Sequence, residues 1–345
     1  MRSRIAAGFV LCLSFALPAA AQPMGDSWYG DLASARGYMV DAARLYEIKN
    51  RRKATVKAIS TVAALDQLAQ GKVDLVGSAR MADTDNPFER DLVFTPVVWD
   101  AMVMVASPTN PVANLTLEQI ADIYLGRITD WSALGGPAKA INLYVVAGPD
   151  DGVEFSLRRL VLGNGNRIVA AKRWYINTQQ LEDAIAIDPA AVAVTTLSSV
   201  HGRKDIKVFS VDGVVPGAKT LDTYPLITPL YIASRGPTSP QGDSEARARR
   251  AIEFLSREPA LRAAWRSKQL VPAVEGKALV AAFRRNEQAI AERLAFAVAP
   301  VPVNVVSAEQ VATDAALVAP APAAPAGAAA APLPAAAAKC AQPTC

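Results

Sequence analysis

The sequence predicts an α/β protein of two lobes, and three observations carry that expectation. Between residues 22 and about 300, short apolar runs of strand length alternate with segments of helical periodicity, the pattern of a sheet covered by helices on both faces. A patterned region of about 280 residues is long enough for two lobes. The two chain ends do not share this pattern. The apolar content, 51% of 345 residues with only 6% aromatic, therefore reflects alanine-rich extensions as well as core.

The N-terminal end reads as a secretory signal, residues 1–21. Arg2 and Arg4 supply a basic start, Ile5 to Leu17 an apolar run, and Ala19-Ala20-Ala21 a small-residue cleavage site. An apolar run of about 13 residues is too short to cross a bilayer as a helix. Cys12 lies within it and is expected to be removed with it. The mature protein is thus expected to be soluble and periplasmic or secreted. The full chain carries 36 Lys and Arg against 32 Asp and Glu, a formal charge of +4. Losing Arg2 and Arg4 leaves 34 against 32, or +2. That balance gives no basic surface for a nucleic acid. The lone histidine, His201, rules out a histidine-rich metal centre.

Within the body the elements follow in order. Helices are expected at Ser34 to Tyr46 and Thr61 to Ala69, the second ended by Gly71. Strands are expected at Thr55 to Ile59, Val73 to Val76 and Ala101 to Ala106. Thr116 and Gln119 form a capping box ahead of the stripe Leu117, Ile120, Ile123 and Tyr124, which Gly126 stops. Further strands read at Ile141 to Val146, Ala191 to Thr195 and Leu230 to Ala233. Asp243 or Ser244 opens a helix with Ala248, Ile252 and Leu255 on one face, and a last helix covers about Leu279 to Ala295. Residues 301–345 form an Ala/Pro-rich tail that is expected to be disordered. From Asp314 onward its only charges are Asp314 and Lys339, and repeated prolines interrupt any helix. Cys340 and Cys345 end it, placed for a small disulfide loop in an oxidising compartment, with a redox or cross-linking role as the alternative.

Three stretches are more specific: LTLEQIADIYLGRITDWSALGG at 115–136, AIAIDPAAVAVTTLSSV at 184–200 and YPLITPLYIASRG at 224–236. In this order and spacing the chain resembles the periplasmic phosphate-binding proteins of ABC transporters, from roughly Asp31 to Ala273. The resemblance implies a type II periplasmic-binding fold, with two α/β lobes joined by crossing strands and a ligand cleft between them. By analogy, lobe one takes residues 22–105 and 226–300, and lobe two 106–225. Such proteins close by a hinge around the ligand. They hold phosphate with helix N-terminal amides, hydroxyls and arginine, where unpaired N–H groups and the helix dipole favour an anion.

Four places should present ligand groups. At the first turn Ser34 supplies a hydroxyl, with helix capping as its alternative role. At the second, Thr61 keeps a hydroxyl while the family's glycines are replaced. The third, Gly77-Ser78-Ala79-Arg80, offers Ser78 and Arg80. Ala79 stands where other members use an acidic residue, and the alternative for Arg80 is an ion pair with Asp83 or Asp85. The fourth is the most altered. The family's arginine is Ala147, its serine Asp151 and its threonine Val153, and Gly152 alone is retained. Asp151 and Glu154 are expected to pair as cap and N3 residue, and with Asp150 they add negative charge where a phosphate would approach. Like charges about 5 Å apart cost about 3 kcal/mol at an effective dielectric near 20.

The expected ligand residues are therefore Ser34, Thr61, Ser78, Arg80, Asp151 and Gly152, with no metal and no cofactor. The function expected from the sequence is a non-enzymatic, monomeric solute-binding protein that presents phosphate, another oxyanion or a zwitterion to an ABC permease. The alternative is a binding-protein fold without solute that serves as an envelope interaction or scaffold module. An enzyme would need a partner for His201, which reads as a solvated loop residue with no carboxylate spaced to orient it.

Overall fold

The computed structural model describes residues 25–83, 85–147, 151–236 and 242–298, with side chains to residue 292. The signal segment, Asp150, the Ala/Pro tail and all three cysteines lie outside these residues. The chain begins with β1 (Asp26–Gly30), followed by an unbroken helical run. That run is α1 (Leu32–Ser34), a π-helical turn (Ala35–Met39) and α2 (Val40–Asn50). Next come β2 (Ala54–Ala58), α3 (Thr61–Ala69), β3 (Leu75–Ser78) and β4 (Leu92–Ala106). Then follow β5 (Asn114–Leu115), α4 (Leu117–Tyr124), β6 (Asn142–Val146), α5 (Gly152–Leu162), β7 (Arg173–Tyr175), α6 (Thr178–Ile187), β8 (Ala191–Thr196) and α7 (Leu197–Val200). The chain continues through β9 (Lys207–Val208), β10 (Ser210–Val211), β11 (Ile227–Arg235), α8 (Asp243–Arg257), α9 (Pro259–Ser267), β12 (Val271–Pro272) and α10 (Lys277–Val298).

The principal sheet runs β2-β1-β3-β11-β4-β8-β6-β7, with β9 and β12 also on β4. Strands β1, β2 and β3 are mutually parallel, as are β6, β7 and β8. Strand β4 joins the two parallel groups. Its residues Leu92 to Ala101 pair antiparallel with β11, and Met102 to Ala106 pair antiparallel with β8. The architecture is thus α/β and two-lobed, with β4 passing from one parallel group to the other. β4 is far longer than the run Ala101 to Ala106 that reads as a strand. Its first half is partly exposed and contains Pro96, and the register slips beside it between Leu230 and Tyr231 of β11. A proline is tolerated in a strand at such a bulge.

The capping box of α4 is present with both halves, Thr116 Oγ1 accepting from Gln119 N–H and Gln119 Oε1 from Thr116 N–H. The Ile128-Thr129-Asp130-Trp131 motif is a packing device. Asp130 caps a 3-10 turn at Trp131–Leu134, and buried Trp131 stacks on Phe209 while donating Nε1–H to the Ala190 carbonyl at 2.9 Å. Around β1, Trp28 packs on Tyr46 of α2, and Tyr46 on Phe254 of α8. Among the described residues no helix is long and apolar enough to cross a membrane.

Gly77 fixes how closely the first helical run approaches β3. A β-carbon there would lie 2.2 Å from Met39 Sδ, 2.8 Å from Ser34 Cβ and 2.9 Å from the Tyr38 hydroxyl. Overpacking of this kind costs about 1–3 kcal/mol. Gly77→Ala is therefore expected to lower the thermal midpoint by several degrees in circular-dichroism melts. Gly217→Ala, whose new β-carbon meets nothing nearer than 3.6 Å, is expected to change it little.

Candidate functional site

Parallel strands deliver their following loops to one edge of the sheet, and ligand clefts in α/β proteins form outside those carboxyl ends. Here the turns after β1, β2, β3 and β6 converge, joined by the turn after β7. A cavity of about 300 Å³ remains among them, lined by Asp31, Leu32, Ala58, Ile59, Ser60, Val146, Asp151, Ile176, Asn177 and Gln179.

Asp31 lies at the centre of this convergence, only 2% exposed. It is the N-cap of the first helical run, its Oδ1 accepting the Ser34 N–H at 2.8 Å. Its Oδ2 accepts the Ala79 N–H at 2.6 Å and the Thr61 hydroxyl at 3.3 Å. Gly152 packs directly against it, since a β-carbon on Gly152 would fall 2.7 Å from Asp31 Oδ2 and 3.1 Å from Ala79 N. Burial first, then the negative charge of Asp151, raises the Asp31 carboxyl to about 6.

Asp151 is 7% exposed and caps α5. Its Oδ1 accepts the Val153 and Glu154 N–H groups, each at 3.0 Å, and its Oδ2 accepts the Thr178 hydroxyl at 2.9 Å. Burial raises its carboxyl above the ordinary range. The expected reciprocal pairing with Glu154 does not form. The buried Glu154 side chain turns inward to Arg158 at 2.8 Å and to the Tyr124 hydroxyl, and burial raises it to about 7.

Arg80 is 2% exposed and committed elsewhere. Its guanidinium forms a two-pronged pair with Glu89, both bonds 2.7 Å, donates to the Met81 carbonyl and lies 5.0 Å from the centre of the Phe155 ring. The partner is thus Glu89 rather than Asp83 or Asp85. Glu89 is held by the Asn86 side chain and the Asp83 N–H as well. Ser78 turns its hydroxyl to the Arg80 carbonyl at 2.7 Å. Thr61 is buried as the first residue of α3, which Ser60 caps, and reaches Asp31. Ser34 is buried inside the helical run that Asp31 caps, and its hydroxyl has no hydrogen-bond partner.

Of the six residues expected to bind ligand, Thr61 and Gly152 meet around Asp31, and Ser34 and Asp151 lie in the same turns. Only Asp151 of the six lines the cavity. Asp31 and Glu89, which decide the electrostatics, are absent from that set. Asp31 carried a readable signal, an acidic residue directly after a strand and three positions before a buried helical residue. Glu89 carried none. His201 is exposed at the end of α7.

The two sides of the cleft are in contact. The Ser156 hydroxyl of α5 donates to the Ala79 carbonyl at 2.9 Å. Deeper in, Arg36 reaches the buried Glu182 of α6 at 3.0 Å and the Ser199 carbonyl of α7 at 3.0 Å. Where β4 changes partner, the buried Asp100 accepts the Ala101 and Ser198 N–H groups and the Ser198 hydroxyl. Burial raises its carboxyl to about 6.

This fold and cleft resemble those of solute-binding proteins. Residues 30–257 match the family model of the PBP superfamily domain, and the chain belongs to that superfamily. The phosphate-binding protein PstS of Bacillus subtilis (strain 168) is 24% identical over 205 residues, 59% of this chain and 65% of the relative. PstS of Borreliella burgdorferi is 28% identical over 119 residues, 34% of this chain and 42% of the relative. The chain thus spans less than two thirds of the length of either curated relative. Among solved structures, a putative phosphate ABC transporter substrate-binding protein with bound phosphate from Clostridium perfringens superposes with a TM-score of 0.63 at 19% identity. That match covers 72% of this chain and all of the other. An ABC-type phosphate transport receptor from Vibrio cholerae gives 0.57 at 23% identity, covering 70% of this chain and 98% of the other.

The buried carboxyls make a pH prediction. Asp31, Asp100, Asp151 and Glu154 all prefer their protonated form in the folded state more than in the unfolded chain. Their contribution to stability is full below the ordinary carboxylate range and is lost as pH rises through about 6 to 7. Carboxylates held low by partners, such as Asp74 beside Arg247, lose stability only at lower pH and do not oppose this trend. Urea midpoints should therefore fall between pH 5 and pH 8. Asp100→Asn, which can still accept two N–H bonds and donate to Ser198, should flatten the slope.

Proposed function

We propose that the chain is an exported solute-binding protein that holds a small polar solute in the cleft beside Asp31 and Asp151, and that this solute is neutral or cationic rather than phosphate. The observation that carries this reading is the cavity lining: two buried carboxylates, the polar side chains of Ser60, Asn177 and Gln179, and no basic side chain among the described residues. Buried charges are normally paired or neutralised. Asp31 and Asp151 have hydrogen-bond donors and no salt-bridge partner among the described residues, and Arg158, whose charge reaches Asp151, is paired with Glu154. A cationic or donor-rich solute would supply what they lack, whereas a phosphate dianion would add charge of the wrong sign. Arg80, the expected counter-charge, is neutralised by Glu89.

On this reading residues 22–105 and 226–300 form one lobe and 106–225 the other. The change of β4 partner at Ala101 and Met102 and the start of β11 at Ile227 support those limits. Residues 1–21 direct export, hinge closure retains the solute, and an ABC permease is the recipient. The phosphate-binding relatives support the transport role. A second reading, a closed fold acting as a scaffold without solute, is favoured by the Ser156–Ala79 and Arg36–Glu182 contacts, which join the two sides with the chain's own atoms.

A thermal-shift screen of amines, amides, polyols and oxyanions on the mature protein tests this. A solute at about one hundred times its dissociation constant adds about 2.7 kcal/mol of stability. The expected result is a shift with a neutral or cationic solute and none with millimolar phosphate. Micromolar phosphate binding by calorimetry would overturn the reading, and silence across the whole screen would favour the scaffold.

A further inference from the structure

We infer that the Asp31 carboxylate is a tethered anion, fixed to the chain in the seat that a free oxyanion would otherwise take, and that it closes the cleft to anions. The donors around it come from three separate segments. They are the Ser34 N–H of the first helical run, the Thr61 hydroxyl at the start of α3, and the Ala79 N–H after β3. A fourth segment, Gly152 at the start of α5, rests on the same carboxylate oxygen without donating to it. Two of these donors, Thr61 and Ala79, come from turns 30 and 48 positions away in sequence, and they converge on a charged acceptor, to which hydrogen bonds are the strong ones. Here the anion is part of the chain.

A second observation is independent of these bonds. The Ser34 hydroxyl, on the residue whose N–H Asp31 accepts, is buried with no hydrogen-bond partner. A buried hydroxyl without a partner is costly and uncommon. The Asp31 carboxylate, hung from the backbone, serves the Ser34 N–H, Thr61 and Ala79 donors and leaves this one unserved. An untethered anion could turn to meet it. The seat therefore has more donors than its resident uses.

The inference concerns the same cleft as the proposed function and rests on reading that cleft as a solute site, but the two fail separately. A wild type that takes no solute sinks the first and leaves the second standing, whereas the second turns on how Asp31 variants respond to anions relative to wild type. The experiment uses the mature protein with Asp31→Gly, Asp31→Ser and Asp31→Asn, titrated with formate, acetate and phosphate at fixed ionic strength. Gly and Ser empty the seat. Asn fills it with an amide that presents N–H where an acceptor is required.

Formate and acetate should raise the melting temperature of the Gly and Ser variants and leave wild type and Asn unchanged. Their affinity for the emptied seat should exceed that of wild type by about tenfold or more. Phosphate should act more weakly than formate, because Asp151 still faces the site. Should the Gly and Ser variants fail to fold alone, recovery of native circular dichroism on refolding should become dependent on formate or acetate. Variants that neither bind nor refold with these anions, or a wild type that responds equally, would overturn the inference.

Discussion

A carboxylate removed from water and given no cation must collect hydrogen-bond donors, and Asp31 imposes that requirement on the cleft. Burying an ion costs several kcal/mol, and each hydrogen bond to a charged group returns about 1.5–3 kcal/mol. Its donors must therefore come from elsewhere in the fold. One is the helical run it caps, one is Thr61, and one is the Ala79 amide. These bonds set the start of the first helical run, the approach of α3 and the turn after β3 relative to one another. The raised carboxyl shows that they do not fully offset burial and the nearby charge of Asp151.

The same logic explains the other charged residues of the region. Asp151 takes the amide pair that opens α5, so that helix end is already satisfied. Arg80 sits beneath the cleft with its charge matched by Glu89. The cavity is left with an acidic and hydrogen-bonding wall, although phosphate-binding proteins share its fold. Fold and ligand chemistry are separable because the fold is set by the sheet and core, whereas the ligand is set by a few turn residues.

Much of the scaffold was legible in the residues. Thr116 and Gln119 announced α4, Asp151 announced the cap of α5, and Gly71 stood at the end of α3 with a left-handed φ of 72°. The region around Trp131 was distinctive because its residues make one packing unit, and it marked the family. What stayed hidden depended on tertiary partners. The first half of β4 is masked by Pro96, which only the bulge against β11 accommodates. Asp31 caps the first helical run by a local bond to the Ser34 N–H, and only its second bond, to the Ala79 amide 48 positions away, was hidden. Arg80 looked available until the short turn at Pro87–Glu89 brought Glu89 to it. Side-chain pairing across such distances leaves no local pattern to read.

The most direct measurement of the central claim is a crystal structure of the wild-type mature protein grown in concentrated phosphate. Asp31 Oδ2 should lie within hydrogen-bond distance of the Ala79 amide and Arg80 on Glu89, with no phosphate among these groups. A phosphate held by the Ala79 and Gly152 amides, with Asp31 rotated out and Arg80 released from Glu89, would contradict it.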